Sequence, residues 1–210
     1  MVRISGNKIF IKILYWGSEA SGKTTAMDTL YRLTTENALD IKPFGKLVKI
    51  QANDGSTMYF DRVVFESMKK GNISFQVFAV AGKKRFSSLR KETYKATDGI
   101  ILVFDAQKKR WEANLEALRE LKSIAGNDLV SKIPVVVMQN KMDLDGVIDT
   151  QDIQKILQHE GLWYPIGHVL HIWNPVILPT ISTFDNEKNV YRAFGECAKL
   201  TGKMIYKSRR

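Results

Sequence analysis

Two short stretches carry residue types that do chemistry together. Gly17-Ser18-Glu19-Ala20-Ser21-Gly22-Lys23-Thr24 fits G-x-x-x-x-G-K-[ST], the phosphate-binding loop. Glycines let backbone N–H groups turn inward around an anion, and a helix starting behind them adds partial positive charge. Lys23 then reaches the β- and γ-phosphates of a nucleotide, and the Thr24 hydroxyl offers a ligand to Mg²⁺. Thr25 extends the cradle that Gly17, Glu19, Ala20, Ser21 and Gly22 begin. Far downstream, Asn140-Lys141-Met142-Asp143 is an N-K-x-D quartet. A carboxylate accepts from both guanine N1–H and its 2-amine, a pair that adenine lacks, so Asp143 is the candidate base selector. Asn140 would touch the purine edge and brace the phosphate loop, while Lys141 lays its stem over the ring.

These residues need particular elements behind them. Lys8–Trp16, rich in β-branched and aromatic residues, predicts a strand entering the loop, and Thr24–Glu36, with Met27, Leu30, Tyr31 and Leu33 at helical spacing, predicts a helix leaving it. Ala38–Lys46 reads as a loop, Leu47–Gln51 as a short strand, and Asn53-Asp54-Gly55-Ser56 as a turn. Met58–Phe65 and Ile73–Val80 predict antiparallel strands joined at Lys69-Lys70-Gly71-Asn72. Gly99–Asp105 and Pro134–Gln139 are continuous apolar runs, the mark of strands buried on both faces, each followed by a helix, Trp111–Ile124 and Thr150–Glu160. Gly161–Pro179 should hold the last strand and an insertion, and Glu187–Lys207 a closing helix. The pattern predicts an α/β fold of the P-loop class: a mostly parallel sheet, one antiparallel edge strand, helices on both faces. Asn140 then falls at the carboxyl end of a parallel strand, where such sheets bind ligands.

Composition adds limits. No run of eighteen apolar residues occurs, the first residues lack a signal-peptide core, position 2 is not the glycine of myristoylation, and Cys197 is too far from the end for prenylation. A single cysteine suits a reducing cytoplasm, and Cys197 reads as a small buried hydrophobe. With no linker or repeat, residues 1–210 are expected to form one domain, with a core at about 8–200 and a basic tail at 201–210. Thirty-two basic against 22 acidic residues give +10. The basic clusters, Lys83-Lys84-Arg85 with Arg90-Lys91, Lys108-Lys109-Arg110 and the tail, read either as solvated faces or as attraction to an anionic membrane or acidic partner. Without interleaved aromatics they do not predict nucleic-acid binding.

The phosphate loop with N-K-x-D in a chain of this size resembles the Ras superfamily of small GTPases. Tyr15-Trp16-Gly17 into Ser21–Thr25, Ser56-Thr57-Met58-Tyr59-Phe60-Asp61 and Glu112–Leu118 further resemble the bacterial gliding-motility polarity GTPases and related archaeal GTPases. The likeness implies a switch between GDP and GTP forms, with Thr57 on Mg²⁺ and the γ-phosphate. It also implies Ser182-Thr183 as the base-binding loop, effectors reading residues 40–60 and 79–95, and roadblock-fold activators. Departures bear on mechanism. Where most relatives have D-x-x-G-Q, this chain has Ala79-Val80-Ala81-Gly82-Lys83. Ala79 holds nothing, Gly82 could still sense the γ-phosphate, and charged Lys83 has donors but no acceptor for an attacking water. Glu19 stands where relatives carry a small residue. Glu19 and Lys83 therefore either bridge across the γ-phosphate pocket and slow hydrolysis, or stay unrelated surface charges, or leave Lys83 to act on the phosphate as a point charge. A hydrolysis-deficient scaffold and an ATP-dependent kinase are the alternatives, the latter disfavoured by N-K-x-D.

Other residues fit blander roles. His159, His168 and His171 are dispersed and make no zinc site. Trp16, Trp111, Trp163 and Trp173 read as packing, although Trp163, Tyr164 and Trp173 could form an exposed partner patch. Arg62 and Arg85 are candidate arginine fingers with nothing in the sequence to aim them.

Overall fold

The computed structural model describes residues 3–49, 60–83 and 86–208. Its central strand is β2 (Lys8–Trp16), preceded by β1 (Arg3–Ser5), which pairs with it antiparallel. β2 runs parallel to β5 (Ile73–Val80) on one side and β6 (Gly99–Asp105) on the other. The sheet continues from β6 through β7 (Val135–Asn140) to β8 (Val176–Pro179), all parallel. At the other edge, β4 (Phe60–Ser67) pairs antiparallel with β5. The turn expected at Lys69–Asn72 joins them, closed by Ile73 N–H donating to the Lys70 carbonyl at 2.9 Å.

Three of the expected elements come out differently. Ala38–Lys46 is not all loop, because β3 (Ile41–Pro43) extends the antiparallel edge against Phe65–Ser67. Of Leu47–Gln51, Val48 makes one antiparallel bridge with Arg62, and residues 50–59 lie outside the described residues, with the expected turn at 53–56 and Thr57 among them. The closing helix, α5 (Val190–Ser208), starts later than Glu187 because Glu187 serves as its cap: Val190 N–H donates to Glu187 Oε1 at 2.7 Å.

Helices cover both faces. α1 (Lys23–Glu36) and α5 bury Met27, Leu30, Val190, Phe194 and Cys197 against one face, where Phe194 sits edge-on to Phe75. α3 (Trp111–Ala125) and α4 (Thr150–His159) bury Leu118, Leu121, Ile153 and Leu157 against the other. β6 is buried at every position, as expected of a strand between two helical layers. α4 and α5 both start at the carboxyl edge of the parallel strands and end at the opposite edge. Among the described residues, no helix is long and apolar enough to cross a membrane.

Candidate functional site

The carboxyl ends of β2, β5, β6, β7 and β8 bring the chemical residues to one edge of the sheet. β2 ends at Trp16, whose indole N–H donates to the Ala117 carbonyl of α3 at 2.8 Å and fixes where the phosphate loop begins. The loop closes on itself: Lys23 Nζ donates to the Gly17 carbonyl at 3.0 Å and the Ser18 carbonyl at 2.6 Å. Burial, followed by the nearby Arg90 charge, pushes the Lys23 ammonium down to about 7. Anionic oxygens beside Nζ would favour its charged form. Gly22 caps α1 at φ 99° with no side-chain cap bond among the described residues, so the first turn presents backbone N–H groups in the direction an anion would lie.

N-K-x-D and the loop after β8 lock onto that cradle. Asn140 Nδ2 donates to the Ser21 carbonyl at 2.8 Å, and Asn140 Oδ1 accepts from Ser182 Oγ at 2.8 Å. Thr29 Oγ1 of α1 donates to the Ser182 carbonyl at 2.6 Å, a brace the sequence did not signal. Lys141 Nζ lies 2.8 Å from Asp105 Oδ2, at the end of β6. Asp143 and Thr183 are exposed, as are Glu19, Ala20 and Thr25 of the phosphate loop and the start of α1. A Cβ on Gly22 would stand 2.3 Å from Asn140 Nδ2. Gly22→Ala is therefore expected to separate the two motifs and to destabilise the fold by about 1–3 kcal/mol, read as a lower urea midpoint, with nucleotide binding weakened as well.

The acidic group missing from position 79 has a counterpart across the strand pair. Asp61 of β4 is in register with Ala79 of β5, and the Asp61 side chain is fully buried. Its Oδ2 accepts from Thr24 Oγ1 at 2.5 Å. A hydroxyl and a carboxylate at a polyphosphate cradle are a hard-oxygen donor set suited to Mg²⁺. Sequence reasoning quoted Asp61 only as part of a family likeness; the register that aims it at Thr24 is a property of the fold. Arg62, next along, points to the other face and lies over Phe78 at 5.6 Å, so it is not aimed at the cradle. Arg85 lies outside the described residues.

The segment after β5 packs directly on the phosphate loop. A Cβ on Gly82 would meet Glu19 N and Cα at 2.5 Å, so only glycine permits this approach. Lys83 Nζ lies 3.7 Å from Glu19 Oε1, which brings together the two charges singled out in the sequence. Arg90, part of a cluster read as a solvated face, is instead buried on α2 (Ser87–Tyr94). Its guanidinium pairs with Glu120 of α3, donates to the Gly82 carbonyl at 3.3 Å and lies over Trp16. At the far end of α2, Lys12 Nζ donates to the Thr93 carbonyl at 2.5 Å and the Lys95 carbonyl at 2.8 Å. Arg110 was also read only as charge, yet its Nη2 donates to the Glu19 carbonyl at 2.5 Å. Asn114 completes the support, with Nδ2 donating to the Asp105 carbonyl at 2.8 Å and Oδ1 accepting from Ser18 Oγ at 3.2 Å.

Comparisons with known proteins point to one family. The model of the ADP-ribosylation factor (Arf) family matches residues 1–177. The mutual gliding-motility protein MglA of Myxococcus xanthus (strain DK1622) is 32% identical over 169 residues, covering 77% of this chain and 82% of that protein. ADP-ribosylation factor-like protein 6 of Caenorhabditis elegans is 25% identical over 160 residues, covering 73% of this chain and 74% of that protein.

Proposed function

The chain belongs to the Arf family of Ras-superfamily small GTPases, and from that premise we propose a guanine-nucleotide switch with slow intrinsic hydrolysis, its metal held by Thr24 and Asp61. Small GTPases of this kind generally work with Mg²⁺, which neutralises charge on the β- and γ-phosphates when bound. The observation that carries the reading is the register of Asp61 with Ala79 and its bond to Thr24. It supports retention of metal-dependent GTP binding although the usual aspartate is gone. Gly17, Ala20, Ser21, Gly22, Lys23 and Thr25 cradle the phosphates, with Thr57 joining from residues 50–59. Asn140, Lys141, Asp143, Ser182 and Thr183 form the base site.

Hydrolysis is attack of water in line on the γ-phosphorus, giving GDP and phosphate. Lys83 stands where relatives orient that water, and an ammonium engaged with Glu19 offers it no acceptor. Gly82, pressed on Glu19, reports whether the γ-phosphate is present by moving when that space fills. Effectors and regulators then read residues 40–60 and 79–95 in the cytoplasm, and roadblock-fold activators fit the likeness to gliding-motility GTPases. Single-turnover GTP hydrolysis tests the reading. Lys83→Gln is expected to raise the rate about tenfold or more, and Glu19→Gly to change it in the same direction. Wild-type turnover equal to or above both variants removes the slow-hydrolysis proposal. Tight GTP retention with no phosphate release from any of the three favours the hydrolysis-deficient scaffold, a reading the Lys83–Glu19 pair also supports.

A further inference from the structure

The connection between α4 and β8 lies at the sheet edge opposite the nucleotide site and is built inside out. Its aromatics face inward: Trp173 is buried in the same core cluster as Met204, and Trp163 and Tyr164 are half-buried, so of the two readings packing holds and the exposed patch does not. Asn174 pins the loop, accepting from Tyr164 N–H at 2.8 Å and donating to the Tyr164 carbonyl at 2.8 Å. Tyr164 stacks on His168 at 4.4 Å, and His171 Nδ1 lies 2.9 Å from the Tyr164 carbonyl. What this holds outward is aliphatic. Ile166 is 89% exposed, and Val169 and Ile172 are each 74% exposed. A loop that orders itself to present three aliphatic tips to water has been shaped for a surface that is not water.

Basic side chains lie beside those tips, although Lys199 is paired with Glu196 at 3.1 Å. Lys199, Lys203 and Lys207 recur every four residues and share a face of α5. Lys207 Nζ lies 5.5 Å from the Trp173 ring, which joins the end of that stripe to the aliphatic knuckle. Glu160, at the start of the connection, is already held by Arg119 and Lys122, and Asp128 is held by Lys132. We propose that this pole docks on an anionic lipid surface, with Ile166, Val169 and Ile172 entering the headgroup boundary and the α5 lysines facing acidic headgroups. Shallow apolar insertion with adjacent cations is the two-signal arrangement that gives reversible membrane attachment. The tips lack the aromatic and arginine anchors that concentrate energy in protein interfaces. The inference does not depend on the nucleotide site, which sits at the opposite edge.

Co-sedimentation of the full chain with phosphatidylcholine vesicles, with and without about one-third phosphatidylserine, tests it. Wild type is expected to bind the anionic vesicles, more weakly as salt rises, and to ignore the neutral ones. The triple change Ile166→Ser, Val169→Ser, Ile172→Ser and the pair Lys203→Glu, Lys207→Glu should each lower partitioning about tenfold, with GTP affinity unaltered in both as the check on folding. Absence of wild-type binding, or variants that bind as wild type does, overturns the proposal. So does light scattering that shows a dimer lost in the triple variant while its vesicle binding persists.

Discussion

Asp61→Ala is expected to lower Mg²⁺-dependent GTP retention by about 100-fold, measured as the dissociation rate of a labelled nucleotide with and without chelator. The carboxylate is fully buried and bonded to the Thr24 hydroxyl, so its removal takes a charge from beside the metal and leaves that hydroxyl unoriented. Loss of a buried acid need not weaken the fold itself, since a buried charge is costly to hold when nothing compensates it. The nucleotide-free protein should therefore keep its urea midpoint while metal-dependent retention falls. The strand register supplies a sharper control. Asp61→Ala combined with Ala79→Asp returns a carboxylate from the facing position of β5 and should recover most of the lost retention. A single variant that still holds GTP in a magnesium-dependent way would show that Asp61 is only structural.

Asp143→Asn should change which base is taken rather than merely weaken binding. An amide at that place still accepts one hydrogen bond but donates where the carboxylate accepted the second. Guanine, with donors at N1 and the 2-amine, is left with a donor facing a donor; xanthine, with a carbonyl at position 2, is not. Sites built around such pairs discriminate by about 10⁴-fold, so GTP affinity should fall by roughly that factor while xanthosine triphosphate gains. Asn140, bonded to Ser21 and Ser182, keeps the quartet in place, so the exposed Asp143 can be changed without disturbing the phosphate loop. Equal affinity of wild type for ATP and GTP, or no exchange of preference in the variant, would detach this quartet from base recognition.

Strands β2, β5 and β6 were legible because their runs of β-branched and aromatic residues are bounded by turns, and in β6 burial on both faces leaves a continuous apolar run up to Asp105. The phosphate loop and N-K-x-D were legible because their chemistry lies within a few consecutive residues. What escaped is set by neighbours distant in sequence. Ala79 could be read as a loss, but its counterpart at Asp61 depends on how two antiparallel strands align, a one-residue matter that pattern alone does not fix. Arg90 sits in a basic run, yet its burial follows from Glu120 and Trp16, which belong to other elements. Trp163 and Trp173 read as packing, and Trp173 is buried as that reading expects, but the hydrogen bonds of Asn174 that decide between packing and an exposed patch are not visible in a sequence.

The bonds from Lys12 to the carbonyls at the end of α2 have a mechanical consequence. That end of the helix is moored to the central strand, whereas Gly82, five residues before its start, lies against the phosphate loop. A displacement starting at Gly82 thus has a fulcrum: α2 can tilt but not slide, and movement grows with distance from Lys12. On that geometry the swing would be largest at the start of the helix and smaller at Arg90, whose pair with Glu120 resists it.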